Sequence, residues 1–305
     1  MSVSLHIGLE IAERSFRFVE IQKQDRQTTI LQADILETAH DYASPLLYEL
    51  PYQRELARDF IRDLATVFLT RGVYAESLSL VLPSMLPLVA MLPFDQHLSA
   101  SMKQMQLEWD CRTLAGLTTE TPQTILSHDL EHAHNTLAMA MPAACVDVLN
   151  STCEHLTLQL LAIDTDHFVM ENLVRMLYPY DAEKNFAVLG LSPDHCVAGL
   201  YRDKRYLGFR QTSVTYKQHY AAQAVHLLEK LPSFRGLGNP DHIFVYGSAA
   251  SDDVIESLNG ILPGNVIRCV PLADTGISDS IMQSMRTVGE QQFDIAASAA
   301  LLGLL

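Results

Sequence analysis

The sequence predicts an α/β protein of two lobes, each opened by the same strand-rich unit. Two stretches carry this. In residues 5–21, Leu5, Ile7, Leu9 and Ile11 are apolar at period two, a polar turn follows, and Phe16 and Phe18 resume the alternation. That is the pattern of two half-buried strands joined by a tight turn. Residues 186–191, 197–201 and 205–210 are short apolar runs that make a second meander. The two openings read as one unit used twice.

The elements follow in order. Two or three strands run through about Ile35. A helix begins near Tyr52, because Leu56, Phe60, Ile61, Leu64, Val67 and Phe68 form an apolar stripe at helical spacing. Residues 78–83 are a short buried strand ended by Pro83, and 86–92 a second closed by Pro93. An inserted subdomain is expected over 94–154, with the core of the first lobe at 1–93 and 155–180. Within the insertion, 98–114 is an amphipathic helix carrying Trp109, whose Met102, Met105 and Trp109 read as core or as a partner groove. Residues 124–130 and 136–141 form a hairpin. Residues 143–153 are a helix with Pro142 suited to its first turn. A strand at 158–164 and a helix over 168–176 return the chain to the first lobe.

The second lobe, 181–305, starts with the meander. A helix over 216–231 and a Gly/Pro-rich connector over 234–240 lead to a buried strand at 242–246. A helix, a short strand at 266–270 and a buried final helix complete it.

Composition limits the function. The chain of 305 residues has 21 basic and 36 acidic side chains, a net charge of −15. Nucleic-acid binding needs a basic face, and adsorption to an anionic membrane by charge alone needs the same, so neither is expected. No signal peptide and no apolar stretch of about 20 residues are visible. The five cysteines, Cys111, Cys145, Cys153, Cys196 and Cys269, are odd in number and scattered, which fits a reduced, cytoplasmic protein.

The local sequences in this order resemble the PilM family of type IV pilus assembly proteins, as a divergent member. Those proteins belong to the actin, Hsp70 and sugar-kinase fold, close to FtsA. The family's opening "GLDIGSSSIKLVEL" is here Gly8-Leu9-Glu10-Ile11-Ala12-Glu13-Arg14-Ser15-Phe16-Arg17-Phe18-Val19-Glu20-Ile21. The middle resembles the family at Leu137-Ala138-Met139-Ala140-Met141-Pro142, at Val146-Asp147 and at Leu161-Ala162-Ile163-Asp164-Thr165-Asp166. The "g…f.R" piece appears as Gly208-Phe209-Arg210, and the closing "aaGLAlr" resembles residues 296–303. The resemblance implies an actin-like fold of two duplicated ribonuclease H-like units, with the inserted subdomain in the first lobe.

The resemblance also implies where a nucleotide would sit, and there the sequence departs. ATP-binding members have a "DIG" turn in both lobes, its acid acting on the metal through water and its glycine letting backbone N–H groups reach phosphate. The first turn here has Glu10 and Ala12, with Ser15 beyond it and Arg17 in place of a lysine. The second has Gly190, Leu191, Ser192 and Pro193, without the acid and with one N–H fewer. The adenosine-side "GGgA" is Gly247-Ser248-Ala249-Ala250. The interval before it is short by about 60 residues, so the second lobe is expected to be trimmed on its nucleotide side. A degenerate nucleotide site follows, with no cofactor expected and ATP with Mg as the alternative.

Other groups support simpler readings. His128, Asp129, Glu131, His132 and His134 lie at a predicted hairpin tip without a cysteine, so a solvated turn is preferred to zinc. Asp164-Thr165-Asp166-His167 ends a strand and caps the next helix rather than forming a catalytic acid group. Ser15 has no assignable histidine base. The reading is a non-catalytic cytoplasmic scaffold of a type IV pilus or related secretion machine. The resemblance implies that it binds a short cytoplasmic tail of an inner-membrane protein in a first-lobe groove, and so lies at the inner membrane only through that partner. Self-association stays open. An active ATPase or kinase of this fold, and a filament-forming cytoskeletal protein, are the competing readings.

Overall fold

The computed structural model describes residues 3–25, 27–93, 95, 97–116, 122–130, 135–179, 184–202, 205–214, 220–231, 240–273 and 275–304. The chain starts with a three-stranded antiparallel meander, β1 (Val3–Ala12), β2 (Ser15–Gln24) and β3 (Gln27–Glu37). Glu13 takes φ +40° in the two-residue turn between β1 and β2, the left-handed backbone that such a hairpin needs. Helix α1 (Arg54–Arg71) follows, ended by Gly72 at φ +69°. Its apolar stripe, Leu56, Phe60, Leu64 and Val67, is buried on the sheet with Phe16 and Tyr42. Strand β4 (Ser77–Leu82) then lies parallel to β1.

A separate three-stranded sheet comes next. It contains β5 (Leu88–Pro93), then, after helix α2 (Ala100–Leu114), the hairpin β6 (Gln123–Leu130) and β7 (Asn135–Pro142), in the order β5-β7-β6. Helix α3 (Ala143–His155) leads to β8 (Gln159–Thr165), which adds to the first sheet beside β4 and completes the order β3-β2-β1-β4-β8. Helix α4 (Asp166–Leu177) follows without a loop.

The second lobe repeats the plan. The meander β9 (Phe186–Leu191), β10 (His195–Arg202) and β11 (Arg205–Ser213) is followed by α5 (Tyr220–Glu229), β12 (His242–Tyr246), α6 (Asp252–Ile261) and β13 (Asn265–Arg268). Its sheet order, β11-β10-β9-β12-β13, matches the first sheet position for position. The two openings are therefore equivalent meanders in separate sheets. All six residues of β9 are buried, as a central strand covered on both faces should be. Helices α7 (Asp279–Val288) and α8 (Asp294–Leu302) end the described chain. Among the described residues no helix is long and apolar enough to cross a membrane.

Helices α4 and α8 pack against each other between the lobes. Helix α8 lies on β1, β2 and β4 of the first sheet, and α4 on β9 and β10 of the second. Gly8 makes the first contact feasible: a Cβ there would run into the Ala296 carbonyl oxygen and the Ala300 nitrogen.

Three expectations need correction or completion. Met102, Met105 and Trp109 are not core; they are 56%, 69% and 65% exposed. The third sheet offers α2 a floor of small residues, Ala138 and Ala140, which only Leu107 and Cys111 can meet, and this turns the Met–Trp ridge outward. Helix α7 was not foreseen. Of the helix expected over 216–231 the structure describes α5; residues 215–219 and most of the 234–240 connector lie outside the described residues. So do Glu131, His132 and His134, and the side chains of His128 and Asp129.

Candidate functional site

The end of β1 faces the turn between β9 and β10 across the cleft between the lobes. Glu10, Ala12 and Arg17 from one side, and Ser192, His195 and Ser248 from the other, line a cavity of about 30 Å³. One water-sized sphere needs roughly 10–15 Å³, so this space holds two or three waters. A pocket for a drug-sized ligand is about ten times larger.

Five of the eight residues expected at a nucleotide site thus meet here. The other three do not line the cavity. Ser15 turns back, its Oγ donating to the Ala12 carbonyl at 3.0 Å. Gly190 sits inside β9. Gly247 holds the turn after β12 at φ +99°, where a Cβ would meet the Leu191 carbonyl oxygen.

Glu10 and Arg17 are register partners across the β1–β2 hairpin, and Arg17 Nη1 donates to Glu10 Oε1 at 3.3 Å. Burial pushes the Glu10 carboxyl up to about 7 even with the Arg17 guanidinium beside it. Among the described residues Glu10 Oε2 and Arg17 Nε have no hydrogen-bond partner.

Asp166 was expected to cap a helix beginning near Phe168. It is instead the first residue of α4, and its carboxylate spans the cleft. Oδ1 accepts from the backbone N–H of Ser84 at 2.9 Å and of His167 at 2.7 Å, and from the Ser84 hydroxyl. Oδ2 pairs with His195 Nε2 at 3.0 Å. The other ring nitrogen, Nδ1, pairs with Asp194 at 2.7 Å. Burial alone would lower the affinity of His195 for a proton, but its two carboxylate partners outweigh it and hold the imidazole charged, up to about 10. Burial opposes ionisation of Asp166 too, and the bonds from His195 and Ser84 overcome it and keep the carboxyl below its ordinary range.

A second set of side chains fills the floor on the β9 side. The Tyr246 hydroxyl stands over Gly190, in the space a side chain there would take. It pairs with His167 Nδ1 at 3.4 Å. His167 packs edge-on against Phe168 and Phe209, and Gly199 leaves room for its ring, with Nε2 2.5 Å from where a Cβ would be. Burial pushes His167 down to about 4, so it is neutral. The sequence carried no signal for Tyr246 or His195, which become part of this region only through strand pairing.

A larger hollow lies away from the cleft. It is about 220 Å³ and apolar, lined by Leu126 on β6, Met139 and Met141 on β7, and Leu160, Leu161 and Ile163 on β8, with α3 behind. It lies between two sheet edges, because β8 ends the order of the first sheet and β6 that of the third. Leu126 and Leu161 are 55% and 45% exposed.

No protein-family model matches the chain, and no curated protein matches it by sequence. Solved structures do. The chain is similar to one from the "PilM-PilN type IV pilus biogenesis complex", with a TM-score of 0.69 at 14% identity, over 98% of each chain. It is also similar to a protein from Bacteroides thetaiotaomicron described as having an actin-like ATPase fold and unknown function, with a TM-score of 0.54 at 9% identity, over 93% of this chain and 96% of that one. The fold is actin-like. The two turns that the sequence resemblance marked as phosphate loops accordingly face each other, each at the end of the first strand of its lobe. At these identities the likeness is one of fold.

Proposed function

We propose that this chain is a non-catalytic scaffold of a type IV pilus or related secretion machine, and that it holds a short extended tail of an inner-membrane protein. The observation that carries this is the apolar hollow between β6 and β8. An exposed strand edge offers unpaired N–H and C=O groups that an extended peptide can match, while alternate side chains enter pockets. Here two edges flank one apolar floor, and both exposed leucines face the occupant's path. The structure similar over nearly the whole chain is that of a complex, PilM with PilN, which favours a protein partner for this fold. In this reading the chain is cytoplasmic and reaches the inner membrane through that partner. The division into a first-lobe core, an insertion and a trimmed second lobe belongs to the same proposal.

The cleft supports a nucleotide site that has decayed. Glu10 is tied to Arg17, Asp166 to His195, and the Tyr246 hydroxyl fills the place of the second loop's acid. Phosphate cradles depend on close backbone approach to the ligand, and side chains of the protein occupy that approach.

The test is fluorescence anisotropy with the full chain and labelled peptides, each the cytoplasmic N-terminal segment of a single-span membrane protein encoded beside it. Saturable binding to one of them, lost in Leu161→Asp, is expected. Adsorption of the chain to protein-free liposomes of native lipids, with no binding to any such segment, overturns the reading.

A further inference from the structure

The pair His195–Asp166 brings together a residue of each lobe. Asp166 belongs to the first lobe. It follows β8 directly, and the Ser84 backbone and hydroxyl, at the end of β4, hold one of its oxygens. His195 belongs to the second, as the first residue of β10. Their bond of 3.0 Å crosses the cleft, and the two side chains are only 5% and 4% exposed. Both partners are fully engaged. Each carboxylate oxygen of Asp166 has a donor, and each ring nitrogen of His195 has a carboxylate. A ring that donates from both nitrogens to carboxylates is an imidazolium, so the contact is a cation held between an acid of one lobe and an acid, Asp194, of the other.

We propose that His195 is a built-in latch, a protein cation that holds the two lobes closed with no bound ligand bridging them. The geometry favours closure over a merely surface pair. The two side chains are almost fully buried, so the pair is shielded from water, and leaving either charge buried without its partner would be costly. Opening the cleft would draw Asp166, held by Ser84 of the first lobe, away from His195. Helices α4 and α8, which pack between the lobes, would remain as the hinge. Glu10 and Arg17 add no second tie, because both belong to the first sheet. This inference goes beyond the docking reading and does not depend on it.

All five cysteines are buried, so two introduced thiols can be spin-labelled selectively. Leu69→Cys on α1 and Ile261→Cys on α6 mark the two lobes; these positions are 81% and 57% exposed. Pulsed electron resonance should give one narrow inter-label distance in the otherwise native chain. His195→Ala, and the milder His195→Gln and Asp166→Asn, should each add a longer and broader population while circular dichroism stays native. An unchanged single distance in folded variants overturns the latch. So does loss of folding in all three, which would make the pair a part of the core and not a device for closure.

Discussion

The Tyr246 hydroxyl occupies the space in which a Cβ on Gly190 would stand. The two residues are register partners on neighbouring parallel strands, β12 and β9. Gly190 is therefore a packing glycine. Placing an acid there with Gly190→Asp should not create a phosphate loop. It should destabilise by roughly 1–3 kcal/mol, the usual cost of overpacking. In urea denaturation Tyr246→Ala should recover part of the loss in Gly190→Ala, giving a coupling of about 1 kcal/mol for contacting residues. Simple additivity of the two changes would show that they do not compete for this space.

The filled cleft predicts no thermal stabilisation by Mg-ATP. A site with a micromolar dissociation constant should contribute about 4 kcal/mol at 1 mM ligand, which for a chain of this size is a rise of about 6 °C. A flat melting temperature is expected. A rise on that scale, reproduced by calorimetric titration, would restore the ATPase reading.

His195 should make stability fall with rising pH. Its folded value of about 10 lies above its ordinary 6.5, so the native state binds the proton more tightly. The stabilisation is complete below 6.5 and is lost as pH climbs towards 10. Glu10, raised to about 7, acts in the same direction but below pH 7. His6 and His167, lowered to about 4, act oppositely, between 4 and 6.5. Above pH 9 the buried thiols join in. Glu171, raised to about 7, and buried Asp294, raised well above its ordinary range, act in the same direction as His195. Between pH 7 and 9 His195 should add a drop in unfolding free energy of up to about 1.4 kcal/mol per unit. His195→Gln should be less stable at pH 7 and show a shallower slope from 7 to 9. An equal slope in both proteins would sink the assignment.

Leu126→Asp and Leu161→Asp test the hollow between β6 and β8. Both side chains are half exposed, so the cost to folding should be within about 0.5 kcal/mol. Each should abolish capture of the membrane-protein segment by placing a charge on an apolar floor. The protein is acidic, so the native interaction should also weaken as salt rises if basic residues flank that segment. Full capture by both variants would move the docking site elsewhere.

The seat of α8 on Gly8 gives a stability test. Gly8→Ala would drive its Cβ into the Ala296 carbonyl and the Ala300 amide. Backbone cannot rotate away as a side chain can, so a loss of about 3 kcal/mol or more is expected, at the top of the overpacking range. A neutral result in chemical denaturation would mean that α8 does not sit there in solution.

Much of the frame was legible because it rests on local periodicity. The alternation at Leu5, Ile7 and Leu9, and again after Phe186, marked both meanders. The stripe from Leu56 to Val67 marked α1. Ala12 and Pro193 were visible as departures from the turns that the resemblance implies, and both line the cleft. The site was legible only in half. Asp166 and His195 are 29 residues apart, one at the start of α4 and the other at the start of β10, and Tyr246 reaches Gly190 only because β12 pairs with β9. No window of sequence contains such a pair. Trp109 misled for a different reason: its helix has two apolar faces, and the small alanines of β7 decide which one is buried.

The position of α8 sets when the first lobe can be completed during synthesis. From the end of β1 at Ala12 to the start of α8 at Asp294 the ribosome must add 282 residues (294 − 12). At about 5–20 residues per second that takes roughly 15–60 s. Until α7 and α8 are made, the face of the first sheet that carries Gly8, Val19 and Ile21 lacks the cover that Met285, Phe293, Ala296 and Ala300 give it. The first lobe is begun at once and closed last, so nascent chains halted before Asp294 should engage chaperones, while release of the next turns of helix ends that need.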